Sequence, residues 1–385
     1  MISSIENKYN GLNYNVKSKA ILKAVNLFIQ SQISYKLNKV IINESSKFSA
    51  LGRYAKDLSL ASETELFTLF LDKSKSIENF EGRIFAPKPV LKIGYGWYYY
   101  HRFPNFSLRK IKYEINKEIH GDTIIHYASQ GIPKLDLDNK FIYTIHDLFG
   151  LDEKYNADAK LRKLLRKNLE KVFLADKIVV VSNFVKSEIE TFKISSEIVT
   201  IYPPVSSTFK PISNKTLLRK ELNLPLEKKL ILNVSSNDPR KNIPAILKTR
   251  KLLGNNYELV RVGRPFGEGY SFSNVDETTL NKIYNACDVL LFPSLDEGFG
   301  YPIVEAMTVG LPIVGSDIEV FKEIAKDEAI LVKPTPENLS KAIVEIVNRP
   351  EDYTIKGLIR AKQFSFENFK LKINELYNHL GLGQI

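Results

Sequence analysis

The sequence predicts an α/β protein of two Rossmann-like, doubly wound domains, each a parallel sheet wrapped by helices, facing one another across a central cleft. Three observations carry this expectation. Short β-branched and aromatic runs alternate with longer amphipathic stretches, the pattern of strand–helix–strand units. The short runs are continuously apolar rather than alternating, as in strands buried on both faces. The chain has 385 residues, beyond the roughly 250–300 at which a single core stops growing, so two domains of ordinary size are expected.

The strand runs of the first half are Val40–Ile42, Leu66–Phe70, Thr123–His126, Phe141–Thr144, Ile178–Val181 and Ile198–Tyr202. Those of the second half are Leu230–Val234, Leu259–Val262, Val289–Phe292, Pro312–Val314 and Ala329–Val332. Helical periodicity falls between them at Ala159–Ala175, Ile243–Leu253, Thr279–Ala286, Pro302–Thr308 and Glu337–Val347. A break is expected at Pro203–Pro211, where three prolines and a polar cluster end one pattern before the next begins. The expected division is residues 1–205, with a helical extension over 1–35, then 206–364, then an amphipathic helix in 365–385 that crosses back onto the first domain. Two open parallel sheets facing each other leave a crevice at the carboxyl ends of their strands, where ligands bind.

Composition narrows the class. Apolar residues make up 44% and charged residues 26% of the chain, proportions typical of a globular protein with buried cores. Cys287 is the only cysteine, which excludes an internal disulfide and fits a reducing compartment. The first ten residues are polar, and the apolar stretch Ala20–Ile33 is interrupted by Lys23, Asn26, Gln30, Ser31 and Gln32. Neither a secretory leader nor a membrane span is expected, and the predicted location is the cytoplasm. The net charge is +11. Most of it lies before Ser206, where 31 Lys and Arg face 22 Asp and Glu. Such asymmetry points either to an anionic partner of the first half or to a solvated basic surface.

The strongest chemical signal is Phe292-Pro293-Ser294-Leu295-Asp296-Glu297-Gly298-Phe299-Gly300-Tyr301-Pro302-Ile303-Val304-Glu305-Ala306-Met307. A buried strand ends at a proline, a glycine-flanked loop follows, and a helix opens at Pro302, since proline suits a first helical turn. A helix N-terminus offers free N–H groups and partial positive charge, which suit a diphosphate. Gly298 and Gly300 permit close backbone approach. Glu297 precedes the helix and Glu305 lies about a turn inside it. The two carboxylates therefore suit different parts of one elongated ligand, each accepting hydrogen bonds from paired sugar hydroxyls.

This Glu-Gly-Phe-Gly-x-Pro-x-x-Glu-Ala string resembles glycosyltransferase family 4, the retaining enzymes of GT-B fold. The flanking stretches Leu280–Val289 and Gly310–Ser316 match the family as well. The resemblance runs from about Val40 to the C-terminus, densest in the second half. It implies a retaining transfer of a hexosyl group from a nucleoside diphosphate sugar, of GDP-mannose or UDP-hexose type, to a hydroxyl of a glycan or lipid-linked glycan. Glu297 would contact the donor sugar and Glu305 the ribose, while the backbone of Gly298, Phe299 and Gly300 would hold sugar oxygens.

Breaking a glycosyl phosphate bond builds charge on the leaving diphosphate, and cations aimed there lower the barrier. The segment Asn233–Asn242 resembles the family's phosphate-clamp loop in its Pro-Arg-Lys-Asn form, with Lys241 as the diphosphate lysine. Many members carry an arginine five residues before that lysine; Ser236 stands there in this chain, and Arg240 is the expected substitute. The strand Phe141–Thr144 runs into Ile145-His146-Asp147, which resembles the family's Thr-x-His-Asp element and places His146 beside the donor sugar. His126, at the end of another strand, reads as structural. Lys47–Ala55 resembles the family's Gly-Gly-x-Gly-Arg-Tyr loop toward the diphosphate or acceptor, with Gly52 the one glycine retained.

Asp136-Leu137-Asp138 copies the Asp-x-Asp of metal-dependent enzymes but lies outside the motif loops. No metal and no cofactor is expected, the nucleotide sugar being a substrate. No Gly-x-x-x-x-Gly-Lys loop or dinucleotide fingerprint follows a strand. The aromatic and basic run Trp97–Tyr113, with the basic helix carrying Lys160, Arg162, Lys163, Arg166, Lys167 and Lys171, suits an anionic membrane surface. Nucleic acid is not an expected partner. The competing readings are a nucleotide-sugar epimerase of the same fold and a non-enzymatic basic module that binds lipid or nucleic acid.

Overall fold

The structure, a computed structural model, describes residues 39–43, 49–69, 82–85, 113, 115–119, 122–132, 139–265, 267 and 269–380. The expected helical extension over 1–35, the Asp136-Leu137-Asp138 loop and nearly all of the 97–113 run lie outside the described residues.

Two wholly parallel sheets form the frame. The first holds β1 (Lys39–Asn43), β2 (Glu65–Leu69), β3 (Arg83–Phe85), β4 (Ile124–Tyr127), β5 (Phe141–Ile145), β6 (Lys177–Val180) and β7 (Glu197–Thr200). Its spatial order is β3-β2-β1-β4-β5-β6-β7. The second holds β8 (Lys229–Val234), β9 (Tyr257–Val262), β10 (Tyr270–Phe272), β11 (Val289–Phe292), β12 (Ile313–Ser316) and β13 (Ile330–Val332), in the order β10-β9-β8-β11-β12-β13. In both, the strand order reverses beside the first strand, at β1/β4 and at β8/β11. Crossovers leave such a switch point on opposite faces, and the crevice between them is where doubly wound sheets bind ligands.

Each predicted strand run overlaps an observed strand. The continuous apolar runs of the inner strands are buried throughout, as the four residues of β11 and the five of β5 show, whereas β7 and β13 at the sheet edges are only partly covered. β3 and β10 are not anticipated from the sequence. Each is three residues long at a sheet edge, too short for its own composition to signal a strand.

Among the described residues the helices are α1 (Ala50–Ser62), α2 (Ala159–Val172), α3 (Asn183–Glu190), α4 (Lys215–Glu221), α5 (Ile243–Leu252), α6 (Glu277–Ala286), α7 (Tyr301–Val309) and α8 (Glu319–Ala325), followed after the last strand by α9 (Pro336–Asn348), α10 (Glu351–Ala361) and α11 (Phe366–Asn378). Most start on side-chain caps that satisfy orphan N–H groups. Ser49 accepts from Gly52 N–H to open α1, and Asp276 accepts from Thr279 N–H to open α6.

Helix α11 packs on α1. Its Phe369, Ile373, Leu376 and Tyr377 are buried with Ile41, Tyr54 and Leu58 of the first domain. At its core, Tyr377 hydroxyl bonds His126 Nδ1 at 2.9 Å, and His126 Nε2 bonds Thr144 Oγ1 at 2.9 Å. Thr144 in turn meets Tyr54 hydroxyl at 3.0 Å. His126 is fully buried, and burial pulls its pKa down to about 3. It belongs to a structural network that ties the C-terminal helix to the first sheet.

The domains touch through specific contacts. Glu323 of α8 accepts the N–H groups of Asn183 and Phe184, at 2.7 and 2.9 Å, so a carboxylate of the second domain caps α3 of the first. The rings of Tyr202, Phe299 and Phe364 form an aromatic cluster at the junction. Ser182 hydroxyl donates to Gly298 carbonyl at 2.7 Å. These contacts fix how the carboxyl ends of the two sheets face each other.

Candidate active site

A cleft of about 1070 Å³ runs between those carboxyl ends. The first domain lines it with Ala50, Leu51 and Arg53 of α1 and with His146 and Asp147 beyond β5. The second contributes Ser235, Ser236 and Lys241 beyond β8, and Glu297, Phe299 and Gly300 beyond β11. Motif residues far apart in sequence are thus brought to one place.

Lys241 and Glu297 meet directly. The Lys241 ammonium is hydrogen-bonded to Glu297 Oε1 as an ion pair, with side chains 14% and 11% exposed. A 3-10 turn over Pro239–Lys241, capped by Asp238, delivers the lysine. The Leu295 N–H donates to Arg240 carbonyl at 2.7 Å, which ties this turn to the glutamate loop.

His146 faces them from the first domain and is 8% exposed. Its Nε2 lies 2.8 Å from Ala128 carbonyl. A carbonyl only accepts, so Nε2 carries the proton. Burial pulls the His146 pKa down to about 4, opposed by that carbonyl bond. At neutral pH the imidazole is therefore uncharged, and its Nδ1 is an acceptor. The Tyr54 ring packs against it edge-on at 4.8 Å.

The two glycines of the glutamate loop have different physical reasons. A Cβ on Gly298 would lie 1.8 Å from His146 carbonyl oxygen, so only glycine lets the two domains approach here. Gly300 has φ +94° and precedes α7, a left-handed geometry that favours glycine. Gly298 carbonyl is already engaged by Ser182. The Phe299 side chain fills the interdomain aromatic cluster, packing on Tyr202 and Phe364.

Glu305 is placed differently from Glu297. It is 1% exposed. Its Oε1 accepts from Arg53 Nη1 at 2.8 Å and its Oε2 from Tyr284 hydroxyl at 2.6 Å. Arg53 lines the cleft and Glu305 lies behind it. Arg240 also departs from the sequence expectation. Its guanidinium pairs with Asp238 and lies 3.8 Å from the centroid of the Phe149 ring. Gly52 is buried within α1, and its N–H is committed to Ser49 at 3.0 Å. Asp147 borders the cleft, and burial pushes its carboxyl up to about 6, against the pull of Arg240.

Sequence reasoning misses two residues that shape the cleft. Arg53 directly follows Gly52 in the matched stretch, but nothing local shows that it reaches 252 residues along the chain to Glu305. Arg261 of β9 is fully buried under the clamp loop. It bonds Asn233 Oδ1 and Ser235 carbonyl, Ser235 Oγ at 2.8 Å, Asn237 Oδ1 at 3.2 Å and Ser236 carbonyl at 3.3 Å. Its signal is present in the sequence, as an arginine inside the otherwise apolar run Leu259–Val262. Among the described residues no cluster of His, Cys, Asp or Glu has the arrangement of a metal site.

Two family models match. One described as Glycosyltransferase Family 4 covers residues 63–209, and one described as Glycosyl transferases group 1 covers residues 214–356. The O-antigen chain mannosyltransferase B of Escherichia coli is 28% identical over 369 residues, spanning 83% of this chain and 93% of that protein. The O-antigen chain mannosyltransferase RfbU of Salmonella typhimurium is 24% identical over 246 residues, spanning 59% of this chain and 66% of that protein. Among solved structures, sucrose-phosphate synthase from Thermosynechococcus elongatus superposes with a TM-score of 0.72 at 19% identity, covering 90% of this chain and all of that one. Anabaena HepE in complex with UDP and glucose gives 0.71 at 13% identity, covering 89% and 99%.

Proposed function

Since the chain is a group 1 glycosyltransferase of GT-B fold, and a hexosyltransferase by reaction class, we propose that it moves a hexosyl group with retention from a nucleoside diphosphate sugar to a glycan or lipid-linked glycan hydroxyl. The observation that carries the proposal is the meeting of Lys241, Glu297 and His146 in one cleft, drawn from both domains. Likeness to O-antigen chain mannosyltransferases supports mannosyl as the group moved and an O-antigen-type glycan as acceptor; within our proposal the donor is a nucleoside diphosphate mannose such as GDP-mannose.

Each residue then has a role set by its chemistry. Lys241 leaves its pairing with Glu297 to meet the diphosphate, where negative charge grows as the glycosyl bond breaks. Glu297, freed, accepts hydrogen bonds from donor hydroxyls, and Gly298, Phe299 and Gly300 hold the sugar against it. Neutral His146 accepts a further sugar hydroxyl at Nδ1. Glu305 receives the ribose. Arg240 and Gly52 act one step back, Arg240 by stacking on Phe149 and bracing the clamp turn, Gly52 by closing the Ser49 cap of α1. Among the described cleft residues we identify no nucleophile for the far face of the sugar, so we favour attack by the acceptor hydroxyl on the same face, within the donor ion pair, its proton passing to an oxygen of the leaving diphosphate. In this scheme Lys241 supplies the cation and Glu297 and His146 the hydrogen-bond acceptors.

We also place the first domain on an anionic membrane surface. Lys160, Lys163, Arg166, Lys167 and Lys171 are exposed on α2, and lysine stems and charges suit headgroups. No helix among the described residues is long and apolar enough to cross a membrane; the contact we propose is peripheral, on the cytoplasmic face. Flotation with anionic but not neutral liposomes tests this; binding to neither removes it.

The donor is tested by screening nucleoside diphosphate sugars for thermal stabilisation and slow hydrolysis. One base and sugar should stand out, and Glu297→Ala should abolish turnover while the protein stays folded. Stabilisation by none, or near-normal turnover of Glu297→Ala, defeats the assignment.

A further inference from the structure

The reading above gives Glu305 to the donor ribose, yet in this structure its carboxylate is covered. Its side chain is 2% exposed, while Arg53, at 24%, lies between it and the cleft. We propose that Arg53 is a positioning residue that competes with the ribose for Glu305, and that donor entry hands the guanidinium over to Glu277. The inference rests on the assignment of Glu305 as the ribose carboxylate.

The geometry supports an exchange rather than a permanent bridge. Arg53 Nη1 holds Glu305 Oε1 at 2.8 Å, and Glu277 Oε1 already waits 3.7 Å from the same nitrogen. Glu277 is 38% exposed and is steadied by Ser206, whose hydroxyl donates to its Oε2 at 2.7 Å. The Tyr301 ring, centred 5.2 Å from the guanidinium carbon, offers its π face along the way. Tyr284 keeps the other oxygen of Glu305 fixed at 2.6 Å, so the carboxylate stays aimed while its partner changes.

The exchange also has an interdomain meaning. Arg53 belongs to α1 of the first domain, whereas Glu305 and Glu277 stand on α7 and α6 of the second. A shift from one glutamate to the other keeps the domains tied but moves the tie outward, opening Glu305 to hydroxyls. Because a carboxylate has about four lone-pair sites, the ribose needs only the face that Arg53 covers.

The test is equilibrium binding of guanosine and uridine, which carry ribose and base but no phosphate, to the full-length protein. Arg53→Met should bind the preferred nucleoside about five- to tenfold more tightly than wild type, the competitor having gone. Glu277→Gln should bind it more weakly, because the displaced guanidinium loses its second partner. In a Glu305→Gln background, Arg53→Met should have no further effect, a coupling that a merely structural arginine does not produce. Should Arg53→Met fold poorly, Arg53→Lys, with one ammonium in place of a fork, should shift affinity in the same direction by about twofold. Unchanged or weakened binding in Arg53→Met overturns the exchange, as does an equal gain in the Glu305→Gln background. If wild type binds neither nucleoside nor its diphosphate, the ribose assignment itself fails, and the exchange with it.

Discussion

Replacing Gly298 by alanine should separate catalysis from folding. The added Cβ would sit 1.8 Å from His146 carbonyl oxygen and 3.0 Å from its carbon. Both neighbours are backbone atoms, so no side chain can swing aside. The glutamate loop or the His146 strand end must retreat by a little over 1 Å before the oxygen contact reaches even 3.0 Å. That retreat also stretches the 2.7 Å bond from Ser182 to Gly298 carbonyl, worth about 1 kcal/mol. Glu297 is the adjacent residue, and a misplacement of about 1 Å at a reacting centre costs on the order of a hundredfold in rate. Lys241 and Ser235 stand on a different loop of the same domain as Gly298, beyond β8 rather than β11, so nucleotide affinity should persist. The expected result is a fall of about a hundredfold in kcat/KM for transfer, with nucleoside diphosphate still raising the melting temperature. A variant within about twofold of wild-type kcat/KM would refute the view that this juxtaposition of domains is the reactive one.

Other consequences follow from the same contacts. The chain has five histidines, and two of them, His126 and His146, fold with pKa values pulled by burial to about 3 and about 4. Because these lie below the ordinary value of about 6.5, the unfolded chain takes up protons that the native state refuses. Each histidine therefore costs stability as pH falls below about 6.5, until its native pKa is reached. Histidine NMR should show two imidazoles still neutral at pH 5.5; full protonation of all five there contradicts the burial argument. Tyr377→Phe deletes the hydroxyl held by His126 and should lower unfolding free energy by about 1–2 kcal/mol, read by denaturant titration, with little change in kcat. Arg261→Lys exchanges a multidentate fork for a point charge under the clamp loop. Donor KM should rise by about tenfold, more than kcat falls; an unchanged KM means the loop holds its shape without the guanidinium.

The frame was legible because buried parallel strands write themselves as apolar runs. β5 and β8 give way to the polar residues His146 and Ser235, and β11 to the strand-breaking Pro293; those changes mark the carboxyl ends that meet at the cleft. Lys241, Glu297 and His146 were picked out by the family motifs they resemble, each of which follows a strand end. What stayed hidden are contacts between elements. Arg240 and Lys241 are neighbours in sequence, yet a 3-10 turn sends one to Phe149 and the other to Glu297. No periodicity distinguishes them, because the direction of a side chain in so short a turn is set by the partner it finds.

Glu305 shows why spacing alone is insufficient for a site. Its place in the motif correctly puts it on the first turns of α7, near the cleft. Whether it faces ligand or is screened depends on Arg53, on another domain. A buried carboxylate needs a partner, since leaving the charge unpaired is costly. The chain meets that need from both sides, with Tyr284 in the same domain and Arg53 in the other. Lys241 and Glu297 satisfy each other in the same way. On the roles proposed for these residues, the charges of the cleft are kept neutralised by internal pairing, and a donor would have to replace those pairs with equivalents of its own: phosphate for Glu297 at Lys241, ribose for Arg53 at Glu305. A sugar lacking the diphosphate offers nothing to Lys241, and a diphosphate lacking ribose offers nothing to Glu305. If those roles hold, selectivity for the complete nucleotide sugar is expected from the cost of breaking each pair without a substitute, a property of the folded arrangement and not of any one motif.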